Sequence, residues 1–259
     1  MYATNYFENA ILQLMRNETI EAPEVCYLAL FMSDPGDEGG GYEVDYTGYA
    51  RQEVHFSAPA DYGTGMAIQN TEQINFAECP INLGNNVTHI GVMDSLNGGN
   101  MLLYGQLDTA LNVQQGVTPI FRVGSIKWIW TGNLSRYYRT AIMNVFNGSN
   151  CDGFLPYIGL CNGDPEGAGA EFSGYNYARI PVTMSVPAQQ PNGTDMCQNT
   201  NEVISNEATG NWGTMSYVCI YDAETNGHLF AIVPLGTSFV VGAQTSVGFH
   251  IGAFRFSVN

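Results

Sequence analysis

Tyr6, Phe7, Ile11, Leu14 and Met15 recur at spacings of one, three and four residues, which gathers them on one face of a helix. A second helical pattern runs through Leu134, Tyr137, Tyr138, Ala141, Ile142, Val145 and Phe146. It stops at Asn147-Gly148, a pair suited to a left-handed C-terminal cap. After each helix the pattern changes. Val25–Met32 is an apolar run of strand length, and Glu53–Ser57, Gln73–Phe76, Val87–Val92, Met101–Leu107 and Pro119–Trp130 follow it. Many of these alternate apolar with polar, as a strand does when one face is buried. Asp34-Pro35-Gly36, Gly39-Gly40-Gly41, Asn97-Gly98-Gly99-Asn100 and Asn226-Gly227 punctuate them with turn chemistry. The pattern predicts a mainly β fold, an antiparallel β-sandwich or barrel, with a short amphipathic α-helix covering one end or a neighbour.

The pattern occurs twice. Tyr27-Leu-Ala-Leu-Phe-Met-Ser-Asp34-Pro35 aligns with Tyr157-Ile-Gly-Leu-Cys-Asn-Gly-Asp164-Pro165, and Tyr49-Ala50-Arg51 with Tyr177-Ala178-Arg179. Asn70-Thr71 aligns with Asn199-Thr200, Asp94 with Asp222, and Trp128 with Phe256. The separation drifts only from 131 residues at Ala10/Ala141 to 128 at Trp128/Phe256. Turn formers and an arginine are shared as well as apolar positions, which points to tandem duplication. The division falls near Thr131-Gly132-Asn133, giving residues 1–131 as a first helix-plus-β domain and 132–259 as a second, divergent copy.

Charge narrows the partners. Twenty-four acids oppose eight bases, a formal net charge of −16, and Lys127 is the sole lysine. Such a surface repels phosphate, so neither nucleic acid nor an anionic membrane is expected as a partner. No apolar run approaches the length of a transmembrane helix. The first nine residues do not read as a secretory signal. The sequons at Asn17, Asn86, Asn133, Asn147 and Asn192 therefore read as an Asn-rich composition. Cys26, Cys79, Cys151, Cys161, Cys197 and Cys219 show no metal-site spacing; in an oxidising exterior Cys151–Cys161 or Cys79–Cys197 are candidate pairs.

No nucleophile, metal-binding or phosphate-loop motif is present, so the expectation is a protein that is not an enzyme and takes no cofactor. His55, His89, His228 and His250 occupy no shared position in the two copies and read as surface or sheet-face residues. The acidic loops Asp34-Pro-Gly-Asp37-Glu38 and Asp164-Pro-Glu166 read as Asp-capped turns in preference to calcium sites. Arg51 and Arg179 stand out in a base-poor chain. A lone arginine there is expected to fork onto a carboxylate such as Asp94 or Asp222 and staple a loop to the sheet; an anionic ligand is the alternative. Tyr49 and Tyr177, with Tyr42, Tyr46 and Tyr175, crowd the same region and suit a protein interface or sugar stacking.

One further signal is the order of motifs in the first copy. Tyr-Leu-Ala-Leu-Phe-x-x-Asp-Pro precedes Gly-Tyr-Ala-Arg-x-x-Val-x-Phe, then Asn-Thr-x-x-Ile-x-Phe, Val-Thr-His-Ile-Gly-Val-x-Asp and Gly-Gly-Asn-x-Leu-x-Tyr-Gly-x-Leu. This resembles a bacteriophage virion structural protein family of tail-fibre-like or decoration type. The second copy departs from it, with Val233 for Gly105 and Cys161 for Phe31. The resemblance implies a non-enzymatic virion building block, tail/neck fibre or capsid decoration, that bridges or decorates neighbouring subunits. It also implies other virion proteins as partners and a homo-oligomer on a symmetric particle. A carbohydrate- or receptor-binding module of a tail appendage is the competing reading, and a depolymerase-type hydrolase the third.

Overall fold

The computed structural model describes residues 1–191 and 193–258; the Asn192 sequon lies outside the described residues. The chain opens with a two-residue strand, β1 (Tyr2–Ala3), and helix α1 (Asn5–Gln13), which tightens into a 3₁₀ turn at Leu14–Arg16. The first repeat continues through β2 (Cys26–Phe31), β3 (Gln52–Val54), β4 (Ala60–Tyr62), β5 (Gly65–Gln69) and β6 (Ile74–Asn75). It ends with β7 (Val87–Met93), β8 (Met101–Leu111), β9 (Ile120–Phe121) and β10 (Lys127–Trp130). The second repeat starts at α2 (Arg136–Met143), followed by a 3₁₀ turn at Asn144–Asn147. Its strands are β11 (Tyr157–Cys161), β12 (Ile180–Pro181), β13 (Ala188–Gln189), β14 (Asp195–Gln198) and β15 (Val203–Ile204). β16 (Gly213–Tyr221), β17 (Leu229–Val241), β18 (Gly248–Phe249) and β19 (Arg255–Ser257) complete it.

The two repeats pair these strands alike. A large antiparallel sheet of order β1-β8-β7-β2-β3 answers to β17-β16-β11-β12, a small sheet β10-β5-β4 to β19-β14-β13, and a ribbon β6-β9 to β15-β18. Register agrees too: Leu28 faces Val92 and Leu30 faces Ile90, as Ile158 faces Ile220 and Leu160 faces Val218. β7 slips against β8 between Val87 and His89, and β16 slips against β17 at the equivalent place, between Met215 and Tyr217. A bulge buries nothing by itself, so its recurrence marks common descent.

Two expectations are corrected. The sheets remain open, with β3 and β12 as outer strands, so among the described residues there is no barrel. Strands of three and two residues are too short to carry closure. Pro119–Trp130 is not one strand either. It breaks into β9 and β10 at Gly124, whose φ is +76°. Asn70, 1% exposed, sits in that break: its amide donates to the carbonyls of Glu72 and Arg122 and its carbonyl accepts the Ile126 N–H. Asn199, fully buried, repeats the arrangement with Asn201, His250 and Phe254. A buried backbone that leaves the ladder needs another partner, and the asparagine supplies it.

Each helix is tied to its own large sheet through its N-cap. The Thr4 hydroxyl accepts from the Phe7 N–H and donates to the Met101 carbonyl; the Ser135 hydroxyl accepts from Tyr138 N–H and donates to the Leu229 carbonyl. Asn17 (φ 63°) and Gly148 (φ 80°) close the helical segments in left-handed conformation.

Each helix also crosses to the other repeat. α1 packs on β8 and on β14 and β19; α2 packs on β17 and on β5. Phe146 lies 5.3 Å from Phe7, 5.7 Å from Phe56 and 5.5 Å from Trp128, all three in the first repeat. The main apolar cluster therefore runs without a break through both repeats. The cross-contacts are reciprocal. Asn9 donates to Asp195 as its counterpart Thr140 donates to Met66, and Arg16 donates to the Met184 carbonyl as its counterpart Asn147 donates to that of Ser57, one residue past Phe56, the equivalent of Met184. Contacts that recur when the partners are exchanged are the mark of an isologous, two-fold interface.

Candidate functional site

The arginines singled out by sequence each anchor a cluster on the large sheet. Tyr49, Ala50 and Arg51 lead into β3, which brings the Arg51 side chain back over the loop that follows β2. Arg51 Nε and Nη2 fork onto Glu43 at 2.9 and 2.8 Å, while Nη1 donates to the Ser95 and Gly98 carbonyls at 2.8 and 2.6 Å. The Tyr49 hydroxyl donates to Glu43 at 3.0 Å and accepts the Leu30 N–H of β2. The second repeat reproduces every bond. Arg179 forks onto Glu171 at 2.9 Å through both Nε and Nη2, and Nη1 reaches the Ala223 and Asn226 carbonyls. Tyr177 donates to Glu171 and accepts from Leu160 N–H.

The partner carboxylate is thus Glu43 or Glu171, not the Asp94 or Asp222 expected from sequence. The aspartates are occupied by their own hairpin loops. Asp94 accepts from the Asn100 N–H and amide, and Asp222 from the His228 N–H and the Tyr138 hydroxyl. Gly99 (φ +71°) and Gly227 (φ +63°) make room for them, since a Cβ at either would fall 2.2 Å from the aspartate oxygen. The eight-residue spacing Glu43/Arg51, repeated at Glu171/Arg179, was the signal in the chain that identifies the true partners.

Electrostatics agrees with this geometry. The hydrogen bonds that Arg51 donates to Glu43, with the Glu43 charge, raise the guanidinium above its ordinary value against the opposing effect of burial. Burial lowers the Arg179 value, and Glu171 more than restores it. Tyr49 and Tyr177 are raised mainly by burial. Both arginine side chains are 10% exposed, and most of their N–H groups already have partners. What the arrangement does chemically is hold the loop before Tyr49, the entry to β3 and the β7–β8 hairpin in one piece.

The other sequence candidates are dispersed. Asp34 and Asp164 accept from the N–H groups of Gly36 and Glu166, as turn-capping residues do. Tyr42 and Tyr175 are 75% and 61% exposed, whereas Tyr46 is buried and donates to the Ala77 carbonyl. His55 lies exposed near Glu53; His89 is more enclosed than a sheet-face reading implies, 12% exposed against Asp34 and Thr88; His228 stacks on Tyr137 at 3.6 Å. Among the described residues, no group of three or more His, Cys, Asp or Glu side chains is placed to hold a metal ion.

An acidic seam follows the junction of the repeats. A cavity of about 620 Å³ is lined by Asn5, Asn9, Glu38, Gln189 and Asp195. Beside it, Glu8 faces a second cavity together with Asp37 and Tyr104. Burial first, then Asp37 and Asp195, push the Glu8 carboxyl up to about 8. Sequence reading missed Glu8 because its acidic neighbours come from distant segments.

The family model described as "Gp80: Podophage GP4 fiber I protein gp80" matches the chain twice, over residues 2–129 and 133–257. No curated protein matches it.

Proposed function

Because the chain belongs to the podophage GP4 fiber I protein gp80 family and is thereby a phage virion component, we propose that it is a non-enzymatic building block that bridges or decorates neighbouring subunits of the particle. The observation that carries this reading is the reciprocal junction of the two repeats, with α1 on β14 and β19 and α2 on β5. It holds two related surfaces at a constant spacing, and two rigidly linked binding surfaces gain avidity on a lattice that repeats at that spacing. The strongly acidic exterior suits a position away from packaged DNA. Self-association on the symmetric particle belongs to the same reading.

A receptor-binding role is the second reading, supported by Tyr42 and Tyr175, exposed aromatic rings on loops beside the arginine clusters. Particles assembled without this chain separate the two. Bridging or decoration predicts particles that lack an appendage or lose neighbouring proteins, seen by microscopy and mass spectrometry. Particles of intact composition and shape apart from this chain, deficient only in adsorption, would favour the receptor role and overturn the first reading.

A further inference from the structure

Cys161 on β11 and Cys219 on β16 lie diagonally across adjacent antiparallel strands, since Cys161 faces Tyr217 and Cys219 faces Gly159. Their sulfurs are 3.1 Å apart, and both residues are fully buried. They form a cluster with Tyr221 that is separate from the main core, on the opposite face of the sheet from Leu160 and Val218. Over them lie the Tyr221 ring, 7% exposed, with the Arg179 guanidinium 3.4 Å above it, and the partly buried Tyr217, Leu229 and Ile232.

The first repeat shows what this pair replaced. Its equivalents are Phe31 and Gly91, and a Cβ on Gly91 would come within 3.0 Å of the Phe31 ring. A large side chain beside an empty position has become two thiols that share the same space. Met101, whose Cε would meet that Cβ at 2.8 Å, has likewise become Leu229, so the room for a side chain at 219 comes from both exchanges. Neither Cys151–Cys161 nor Cys79–Cys197, the candidate pairs by sequence, is brought together in this way; Cys161 turns to Cys219 instead.

We propose that Cys161 and Cys219 are a redox-active pair, closed to an intrachain disulfide by a small peroxide once the protein leaves the reducing interior of the host. Cys161 gives up its thiol proton and its sulfur attacks one oxygen of hydrogen peroxide; the O–O bond breaks, a sulfenic acid forms, and the displaced hydroxide takes that proton as the first water. The Cys219 sulfur then attacks the sulfenic sulfur, the S–O bond breaks, and the departing hydroxide takes the Cys219 thiol proton and leaves as the second water. In sum two thiols and one peroxide become one disulfide and two waters. The second sulfur already waits at contact distance, so closure outruns further oxidation of the first.

The test uses the full reduced chain, treated with hydrogen peroxide, unfolded, alkylated and digested for mass spectrometry. The expected result is the loss of two of the six free thiols, with one cross-linked peptide pair joined through Cys161 and Cys219. The double variant Cys161→Phe with Cys219→Gly restores the side chains of the first repeat and is expected to abolish the cross-link. Six alkylated cysteines, a bond between any other pair, or a sulfinic acid at 161 or 219 in place of the bond would overturn the proposal. The peptide map of the unaltered chain decides the matter even if the double variant fails to fold.

Discussion

Ile20 and Cys151 pair with each other across the junction of the repeats: the Ile20 N–H donates to the Cys151 carbonyl at 2.9 Å, and the Cys151 N–H donates back at 3.0 Å. They are also equivalent positions, 131 residues apart like Ala10 and Ala141. A residue that pairs with its own counterpart lies on the two-fold axis relating the copies. The chain is thus built like a homodimer whose subunits were joined end to end.

A protease site placed at Thr131–Asn133 is therefore expected to leave the cut halves associated. Size-exclusion chromatography of the nicked protein should show one species of the original size. Residues 1–131 expressed alone lack Phe146 and its neighbours, and should self-associate or melt without cooperativity. A monomeric, cooperatively melting 1–131 would contradict the shared core.

Replacing Phe146 with alanine opens a cavity between Phe7, Phe56 and Trp128. The expected loss is about 3–5 kcal/mol, read from the urea midpoint. Because that ring belongs to one repeat and its contacts to the other, tryptophan fluorescence from Trp128 should change together with far-ultraviolet dichroism.

Asn70→Ala or Asn199→Ala removes one side chain that serves three backbone partners inside a chain break. Each orphaned group in a buried site costs about 1–3 kcal/mol. Equilibrium unfolding should show a large loss for either variant. Asp at these positions keeps the acceptor but loses the donor, and should not rescue.

Arg51→Lys keeps the charge of the cluster and forfeits the fork onto Glu43. Lost hydrogen bonds to a charged group are worth about 1.5–3 kcal/mol, here toward the low end because the Glu43 side chain is 28% exposed and partly screened by water. Faster amide exchange should be confined to the β7–β8 hairpin and the loop before Tyr49.

Glu8 makes stability depend on pH in a stated direction. Its carboxyl is raised from 4.5 to about 8, so across that window the folded chain binds more protons than the unfolded chain. Stability is full below the ordinary value and falls as pH rises through the raised one. Glu8→Gln removes a charge that faces Asp37 and Asp195. The gain in its melting temperature over the unaltered protein should grow as pH rises from about 4.5 to about 8 and level off above that. Parallel curves would show that Glu8 does not titrate in this range.

Much of this was legible in the chain, and the misses have causes. The helices were read from apolar spacing, and Asn147-Gly148 gave the second stop. β4 and β5 were not read, because Ala60–Tyr62 is wholly exposed and Gly65–Gln69 carries an apolar run too short to show a period. β9 and β10 were read as one because Asn70, which breaks them, lies far away in sequence. Arg51 and Arg179 fork onto Glu43 and Glu171 and not onto the aspartates expected, because Asp94 and Asp222 are already satisfied within their hairpins, which only the folded chain shows.

By itself the sequence determined what depends on neighbours along the chain: a mainly β fold, two copies, two amphipathic helices and the turns between strands. Local sterics and the period of burial set these, and they are written residue by residue. Tertiary structure alone decided that the copies share one core, that each helix serves both, and that Glu8 meets Asp195. Those outcomes depend on which apolar faces remain uncovered once the sheets have formed. An apolar stripe records that it must be buried, but not against which surface.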